Sequence, residues 1–277
     1  MTDPPPLEAE LARARDLRVS ELADAIESIG FECTRCGACC KGHEAADGER
    51  EPHTATVFPD EVRRLQTAAS PGDADSDAGD TDSDAGNTDP DAGDPDSDIG
   101  DADYDWRDAA RPMPYGVSEG AEGPEGETFE WALQVDDCGD CTFYEETDGT
   151  GGCTVHDDRP LICATYPFSV ALGGTTQPMG AVVDSAGPEV PRADGPAADG
   201  SVDGEGMVRA HECEGLGRDI SRAEAEELAA TLRERAVREL EEAIAVRDGY
   251  EPADADGVVV HDSEGAKRPD GTPVDDR

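Results

Sequence analysis

Four of the nine cysteines lie in one short run, and they are the residues with the clearest capacity for chemistry. Two-residue spacers separate Cys33, Cys36 and Cys39, and Cys40 follows directly. Such spacers let a tight turn direct successive thiolates toward one centre, and Gly37 permits the backbone conformation that the turn requires. Because clustered thiolates repel one another unless a cation neutralises them, this run predicts a bound metal rather than free thiols.

The other five cysteines lie far downstream and extend the pattern. Cys138 and Cys141 form a second C-x₂-C pair after a predicted strand, as in a metal-binding knuckle. Cys163 comes shortly after Pro160, in a predicted single turn of helix. The remaining members of the set are Cys153 and Cys213.

The residues leave the identity of the metal open. Residues 33–39 match the first three ligands of the bacterial ferredoxin run C-x₂-C-x₂-C-x₃-C-P, which predicts an iron–sulfur cluster. The fourth place of that run falls at His43, so a remote cysteine has to complete the set. Zinc is the alternative, because two C-x₂-C pairs commonly make a zinc site.

Four of the five histidines lie near cysteines in the sequence. For each we favour a surface or capping role over metal ligation. These four are His43, His53, His156 and His211, and we assign no role to the fifth, His261.

Composition limits both the size of the core and the kind of partner. The formal net charge is −45 and aromatic residues make up 4% of the chain, so much of its length cannot belong to a packed core. Such acidity is typical of proteins in a salt-rich cytoplasm, where ions screen the repulsion. It argues against nucleic acid or an anionic membrane as a partner.

The compartment decides how the cysteines are interpreted. The first ten residues contain neither a basic segment nor an apolar run, so the sequence predicts no signal peptide. No stretch approaches the roughly 20 apolar residues that a bilayer span needs. We therefore expect a cytoplasmic protein, in which a reducing environment favours metal ligation over disulfides.

Short elements must position these side chains. Ser221 and Glu224 form a capping box that begins the clearest helix, and Ser20 is expected to cap an earlier one. The predicted helices span residues 7–17, 21–29, 59–66 and 221–246, and the predicted extended segments span 54–58, 129–135, 164–172 and 180–184, with a loop or linker over 185–206.

The fold class that this pattern predicts is α+β: a small, irregular, metal-stapled domain with short strands and a long C-terminal helix, plus disordered acidic segments. The metal-binding domain is expected over 20–68 and 104–247, after an N-terminal segment, 1–19. Residues 69–103 repeat Asp-Ala-Gly and are predicted to be a disordered acidic insert rather than a calcium site. Residues 248–277 are predicted to be a disordered tail.

The order of these blocks resembles the YkgJ-like cysteine-cluster family, which is described as zinc- or iron-chelating. The resemblance rests on the first run, the Cys138 pair and Cys153, then on Arg159-Pro160-x-x-Cys163-x-x-Tyr166-Pro167-Phe168 and Cys213-x-Gly215-x-Gly217. It implies that all nine cysteines are metal-binding candidates. It also includes Arg159, which would donate charge or hydrogen bonds to an anionic cluster or form a structural ion pair, and Tyr166, which is expected to pack in the core.

Three functions follow from a cysteine-bound metal. The first is an iron–sulfur protein with an electron-transfer or oxidoreductase role, whose redox partner is another protein because no nucleotide-binding fingerprint is present. The second is a zinc-stapled module that binds a partner. The third is metal delivery, in which Cys39 or Cys40 exchanges ligands. Catalysis by a nucleophilic cysteine ranks last, because none stands apart from the metal pattern.

Overall fold

The computed structural model describes residues 6–44, 48–69, 105–121, 123–172, 179, 181–189, 206–253 and 256–274. Within these ranges the chain combines helices with several small sheets, which confirms the predicted α+β class. None of the helices in the described ranges is long and apolar enough to cross a bilayer.

The helices are α1 (Leu7–Asp16), α2 (Val19–Ile29), α3 (Pro59–Ala69), α4 (Trp106–Ala109), α5 (Leu161–Thr165) and α6 (Arg222–Gly249). The strands are β1 (His43–Glu44), β2 (Arg50–Glu51), β3 (Thr56–Val57), β4 (Ala110–Pro112), β5 (Val117–Gly120), β6 (Gly123–Thr128), β7 (Trp131–Leu133), β8 (Tyr144–Thr147), β9 (Thr150–Cys153), β10 (Phe168–Val170), β11 (Val182–Glu189), β12 (Gly206–His211), β13 (Val258–Asp262) and β14 (Gly265–Lys267).

A first hydrophobic core joins three helices to one sheet. Helices α1, α2 and α6 pack together, and α2 and α6 also contact the antiparallel sheet of order β10-β12-β11. The predicted capping box of Ser221 and Glu224 begins α6. Leu232, Ala236 and Leu240 follow one another at intervals of four residues and are buried, so this apolar stripe of the helix faces the core.

A second core forms around two tryptophans. Trp131 of β7 lies in the sheet of order β3-β7-β4, and its ring meets that of Trp106 at 5.2 Å between centroids. The Trp131 Nε1–H donates to Asp262 Oδ2 at 2.8 Å, and Asp262 also accepts from Lys267 Nζ at 2.7 Å. A mixed sheet of order β14-β13-β6-β5 brings these two partners to the core.

The prediction of a disordered tail over 248–277 is wrong for most of that range. Helix α6 continues to Gly249, and β13 pairs in parallel with β6, with Val260 opposite Thr128. Val259 and Val260 are buried. The valine run is β-branched and suits a strand. Its partner strand lies about 130 residues earlier, however, and acidic residues dominate the sequence on either side of the valines, so the local pattern did not indicate a strand.

Other boundaries differ in smaller ways. Helix α2 begins at Val19, with Arg18 at the N-cap instead of Ser20. The predicted extended segment 164–172 is helical up to Thr165, and only Phe168–Val170 forms a strand. In the predicted linker 185–206, β11 extends to Glu189 and β12 begins at Gly206, while 190–205 lie outside the described residues. The predicted acidic insert lies outside them too, apart from Ala69, the last residue of α3.

Candidate metal centre

The first cysteine run forms an irregular loop that ends in a 3₁₀ turn, Ala38–Cys40. Gly37 precedes the turn with a φ of +74°, and Arg35 has a φ of +55°. The Arg35 carbonyl accepts a hydrogen bond from the Gly151 amide at 2.9 Å. A Cβ at position 37 would overlap the Tyr144 side chain, so glycine is required there by both conformation and space.

The second C-x₂-C pair lies in a tight turn held by the Asp136 carboxylate. Asp136 Oδ1 accepts from the amides of Cys138 at 2.8 Å and Asp140 at 3.0 Å. The Cys141 amide donates to the Cys40 carbonyl at 2.8 Å. Backbone hydrogen bonding therefore joins the two cysteine blocks directly.

Two further cysteines approach from the second core. Cys153 ends β9, and Cys163 lies on the short helix α5, as predicted for a single helical turn. The buried Glu61 carboxylate accepts from the Leu161 amide at 2.9 Å and, with its other oxygen, from the Phe58 amide at 3.1 Å. Glu61 thus fixes the helix that carries Cys163 against α3.

Cys213 reaches the site from the first core, in the loop after β12. Its Sγ accepts a hydrogen bond from the Gly215 amide at 3.4 Å. The Glu32 amide donates to the Gly215 carbonyl at 3.0 Å, and Phe31 forms an antiparallel bridge with Leu216. These contacts hold the Cys213 loop against the start of the first cysteine run.

Three partly or fully buried cysteines, Cys141, Cys153 and Cys163, form what we call the inner thiol group. Burial raises the pKa of Cys141 to about 11, and the nearby thiols of Cys153 and Cys39 add to the effect. Burial also raises the pKa of Cys163 well above its ordinary value, with further contributions from Cys141, Cys39 and Cys153. Cys141 belongs to the second core, and Cys153 and Cys163 pack against it, so the three side chains share one apolar environment.

Three others, Cys33, Cys36 and Cys213, form what we call the outer thiol group. Burial raises the pKa of Cys213, and the thiols of Cys39, Cys36 and Cys33 raise it further, against the Gly215 amide, which lowers it. Cys33 and Cys36 are exposed, while Cys213 is half-buried. The outer thiol group is therefore the more open of the two.

Cys39 is the cysteine that connects the two groups, because it acts on the pKa of Cys141, Cys153 and Cys163 on one side and of Cys213 on the other. Its Sγ lies 3.8 Å from that of Cys40. This contact and then burial raise the pKa of Cys39. Cys40 packs against the second core. The two adjacent cysteines therefore have different surroundings.

Cys138 is assigned to neither thiol group. It is exposed, and Arg50 Nε donates to its carbonyl at 2.6 Å. Its membership of a metal site stays a prediction.

Arg159 and Tyr166 both lie beside the thiols. The Arg159 guanidinium lowers the pKa of Cys39 and Cys153, against the stronger effects that raise them. Its Nε donates to the His156 carbonyl at 2.9 Å. Tyr166 is half-buried, and its hydroxyl donates to the Glu212 carbonyl, next to Cys213, so this side chain anchors the Cys213 loop.

The histidines have other neighbours. His43 pairs with Glu51 at 3.2 Å and His156 with Asp157 at 3.3 Å, and both are exposed. His211 is buried and its Nε2 lies 2.8 Å from Ser169 Oγ. Burial, and then Arg111, lower the pKa of His53 to about 4. His261 is buried against Phe129 at 5.6 Å between ring centroids, and so is not in a disordered tail.

The donor chemistry of the two groups suits a soft metal. Thiolate ligands favour zinc or iron–sulfur clusters, and each group together with Cys39 offers four sulfur atoms. Among the described residues, no three His, Cys, Asp or Glu side chains already adopt an arrangement that would hold a metal ion. The sulfur atoms are thus neighbours without forming a preassembled coordination shell.

Several residues that organise the site cannot be recognised from the sequence, whereas cysteine ligands can. Asp136 and Glu61 are acidic residues in a chain with 67 of them, and Tyr166 was expected only to pack. Asp136 has one available clue, its position two residues before a Cys-Gly pair, which is typical of an Asx turn. Glu61 acts through a contact with a residue 100 positions away, which no local pattern reports.

Comparison with known proteins adds no relatives: no protein-family model, no curated protein and no solved structure matches this chain.

Proposed function

We propose that this chain is a metal-binding cysteine-cluster protein that holds an iron–sulfur centre and has an electron-transfer or oxidoreductase role with a protein partner in the cytoplasm. The observation that carries the proposal is the convergence of cysteines from five separate parts of the chain. Four of them pack in or against the second core, Cys39 Sγ lies 3.8 Å from Cys40 Sγ, and the Cys213 loop is held against the start of the first cysteine run. Such packing of neutral thiols becomes strongly favourable only when a metal replaces their protons, because the free energy of metal binding then adds to that of folding.

The surroundings of the thiols support a redox centre. When bound, an iron–sulfur cluster supplies one-electron transfer at a potential set by cluster type, hydrogen bonds to sulfur and solvent exposure. The Gly215 amide donates to Cys213 Sγ, and Arg159 places positive charge beside Cys39 and Cys153. Both features stabilise negative charge on sulfur. The exposed outer thiol group is accessible to a protein partner.

A zinc-stapled binding module is the second candidate, and a specific observation favours it. Cys213 extends from the first core, the inner thiol group packs in the second, and the loop of the first cysteine run lies between them. A structural metal at this junction would tie two small cores together and contribute to folding directly.

Metal content separates these two functions. The full chain would be purified anaerobically in high salt and assayed for iron, acid-labile sulfide and zinc, together with its visible spectrum. Iron and sulfide with charge-transfer absorption are the expected result. Stoichiometric zinc without colour would replace the redox role by the zinc-stapled module, and protein without bound metal would overturn both.

A pair of variants tests the site itself. Cys163→Ser removes a buried member of the inner thiol group, and we expect it to lose at least half of the metal. Cys138→Ser, at the exposed cysteine assigned to neither group, is the comparison variant, and its metal content decides whether Cys138 is a ligand. Equal metal loss in both variants would contradict the assignment of the ligands.

A further inference from the structure

A cavity of about 800 Å³ lies between the two hydrophobic cores, along one side of α6. Small-molecule sites typically have volumes of about 300–1,000 Å³ and mainly apolar walls with a few polar groups. The walls here fit that description, since they include Ala236 and Leu240 from α6, Val170 and Leu172 from the first core, and Val57 and Trp131 from the second.

Aromatic side chains are concentrated among the residues that line this cavity. Tyr115, Phe129 and Tyr250 line it, and they are 66%, 46% and 39% exposed. They are three of the five large hydrophobic side chains that are exposed among the described residues. Phe129 and Tyr250 meet edge to face at 5.4 Å between ring centroids. Both rings also contact the ring of His261, which stacks on Phe129. Exposed aromatic side chains grouped around a cavity are a feature of binding sites, and the open face of such a ring attracts organic cations.

Five carboxylates and two arginines, Arg235 and Arg247, are the charged groups that line the cavity. Glu239 pairs with Arg235 Nε at 2.7 Å, and Glu242 Oε1 accepts from the Ser263 amide at 2.7 Å. Glu130 also lines the cavity, and burial, with the nearby carboxylates of Glu239 and Glu242, raises its pKa. In the described part of the chain, no ion pair neutralises Glu130 or Glu242, so the cavity retains negative charge next to apolar walls.

We propose that this cavity binds an organic cation with an apolar body, such as a hydrophobic amine or quaternary ammonium compound. The apolar part would contact the α6 side chains and Trp131, while the cationic head would lie among the carboxylates and the Phe129 and Tyr250 rings. This site goes beyond the proposed metal function and does not depend on it, because the cavity lining contains no cysteine.

The test uses three probes of similar shape and different charge on the full, metal-loaded chain. They are benzyltrimethylammonium, its neutral carbon isostere neopentylbenzene, and phenylmethanesulfonate. Binding would be measured by calorimetry and by tryptophan fluorescence, since Trp131 lines the cavity and the chain has only two tryptophans. We expect the cation to bind at least about tenfold more tightly than the neutral probe at 0.1 M salt, and the sulfonate not to bind. The preference should shrink as salt screens the carboxylates.

Variants locate the binding to the cavity. Glu130→Gln should weaken the binding of the cation by about fivefold and leave the affinity for the neutral probe unchanged. Glu241→Gln is the matched control, because Glu241 pairs with Arg15 and does not line the cavity. Ala243→Phe, at an exposed position that lines the cavity, should block all probes while circular dichroism confirms folding.

Three results would overturn the inference. They are equal affinity for the cation and its neutral isostere, the same affinity in Glu130→Gln and Glu241→Gln, or no binding by any probe to folded protein. Metal content is measured on the same samples, so a failure of this proposal is distinguishable from a failure of the proposed metal function.

Discussion

At the scale of single residues, the thiol groups combine burial with mutual repulsion, and both act on the same side chains. The thiolate forms of Cys141 and Cys163 are disfavoured first by burial and then by neighbouring thiols. Arg159 offsets only part of this effect at Cys39 and Cys153. A divalent or cluster-bound metal is the partner that makes such a group of thiolates favourable, because it replaces the protons and supplies positive charge.

Gly37 provides the residue-scale prediction. Gly37→Ala adds a Cβ where φ is +74° and where the Tyr144 side chain already lies. The left-handed conformation alone costs about 1–2 kcal/mol for alanine, and the overlap must also displace Tyr144 or the loop. We expect the variant to lose metal to a chelator faster than the wild type and to have a lower melting temperature.

A second glycine separates the cost of the left-handed backbone from the cost of the overlap with Tyr144. Gly149 has a φ of +77°, but a Cβ there would meet open space. Gly149→Ala therefore carries the conformational cost without the overlap. If both variants release metal at the wild-type rate, the Gly37 loop does not position metal ligands.

At the scale of elements, the segment between β2 and β3 places a half-buried histidine, His53, next to the second cysteine turn. The His53 amide donates to the Gly139 carbonyl at 2.7 Å, and Arg111 donates to the His53 carbonyl at 2.9 Å. Burial, and secondarily Arg111, lower the pKa of His53 to about 4, while Asp140 raises it slightly. This segment therefore prefers a neutral imidazole.

The sign of the pH dependence follows from that preference. Because the pKa of His53 is lower in the folded chain than in the unfolded one, its contribution to stability is present above about pH 6.5 and is lost as the pH falls toward 4. We expect the free energy of unfolding of the metal-loaded protein to fall by up to about 3 kcal/mol more over this range than in His53→Gln. Urea unfolding at pH 7, 5.5 and 4.5 measures the difference.

The control for this prediction is His156→Gln, because the His156 side chain is exposed. It should follow the wild-type pH profile. A His53→Gln profile parallel to that of the wild type would show that protonation of His53 does not limit acid stability. Protonation of thiolate ligands affects the wild type and both variants alike, so it cancels in the comparison.

The sequence predicted those structural features whose determining residues lie close together in the chain. The capping box at Ser221 and the stripe of α6 were predictable because both act within a few turns of one helix. The single turn around Cys163 was predictable for the same reason. Strand β13 was missed because it pairs with β6, far away in the chain. The division into inner and outer thiol groups could not be predicted, since it depends on the bridge between Phe31 and Leu216 and on Glu61 holding α5.

At the scale of the whole molecule, two small cores meet at the cysteine loops. The first contains three helices, and the second contains both tryptophans. The inner thiol group packs in the second core together with Cys40. A small core with few large side chains depends strongly on any covalent or metal cross-link, because little apolar area is buried within it.

Removal of the metal should therefore affect the two cores unequally. After treatment with a chelator, we expect the tryptophan fluorescence to shift toward that of exposed indole, because Trp106 and Trp131 both belong to the second core. The helical circular dichroism should change little, since most of it comes from α1, α2 and α6 in the first core. A metal bound only at the outer thiol group would leave the tryptophans unchanged. Simultaneous loss of both signals would mean that the metal holds the whole fold together and that the two cores do not unfold separately.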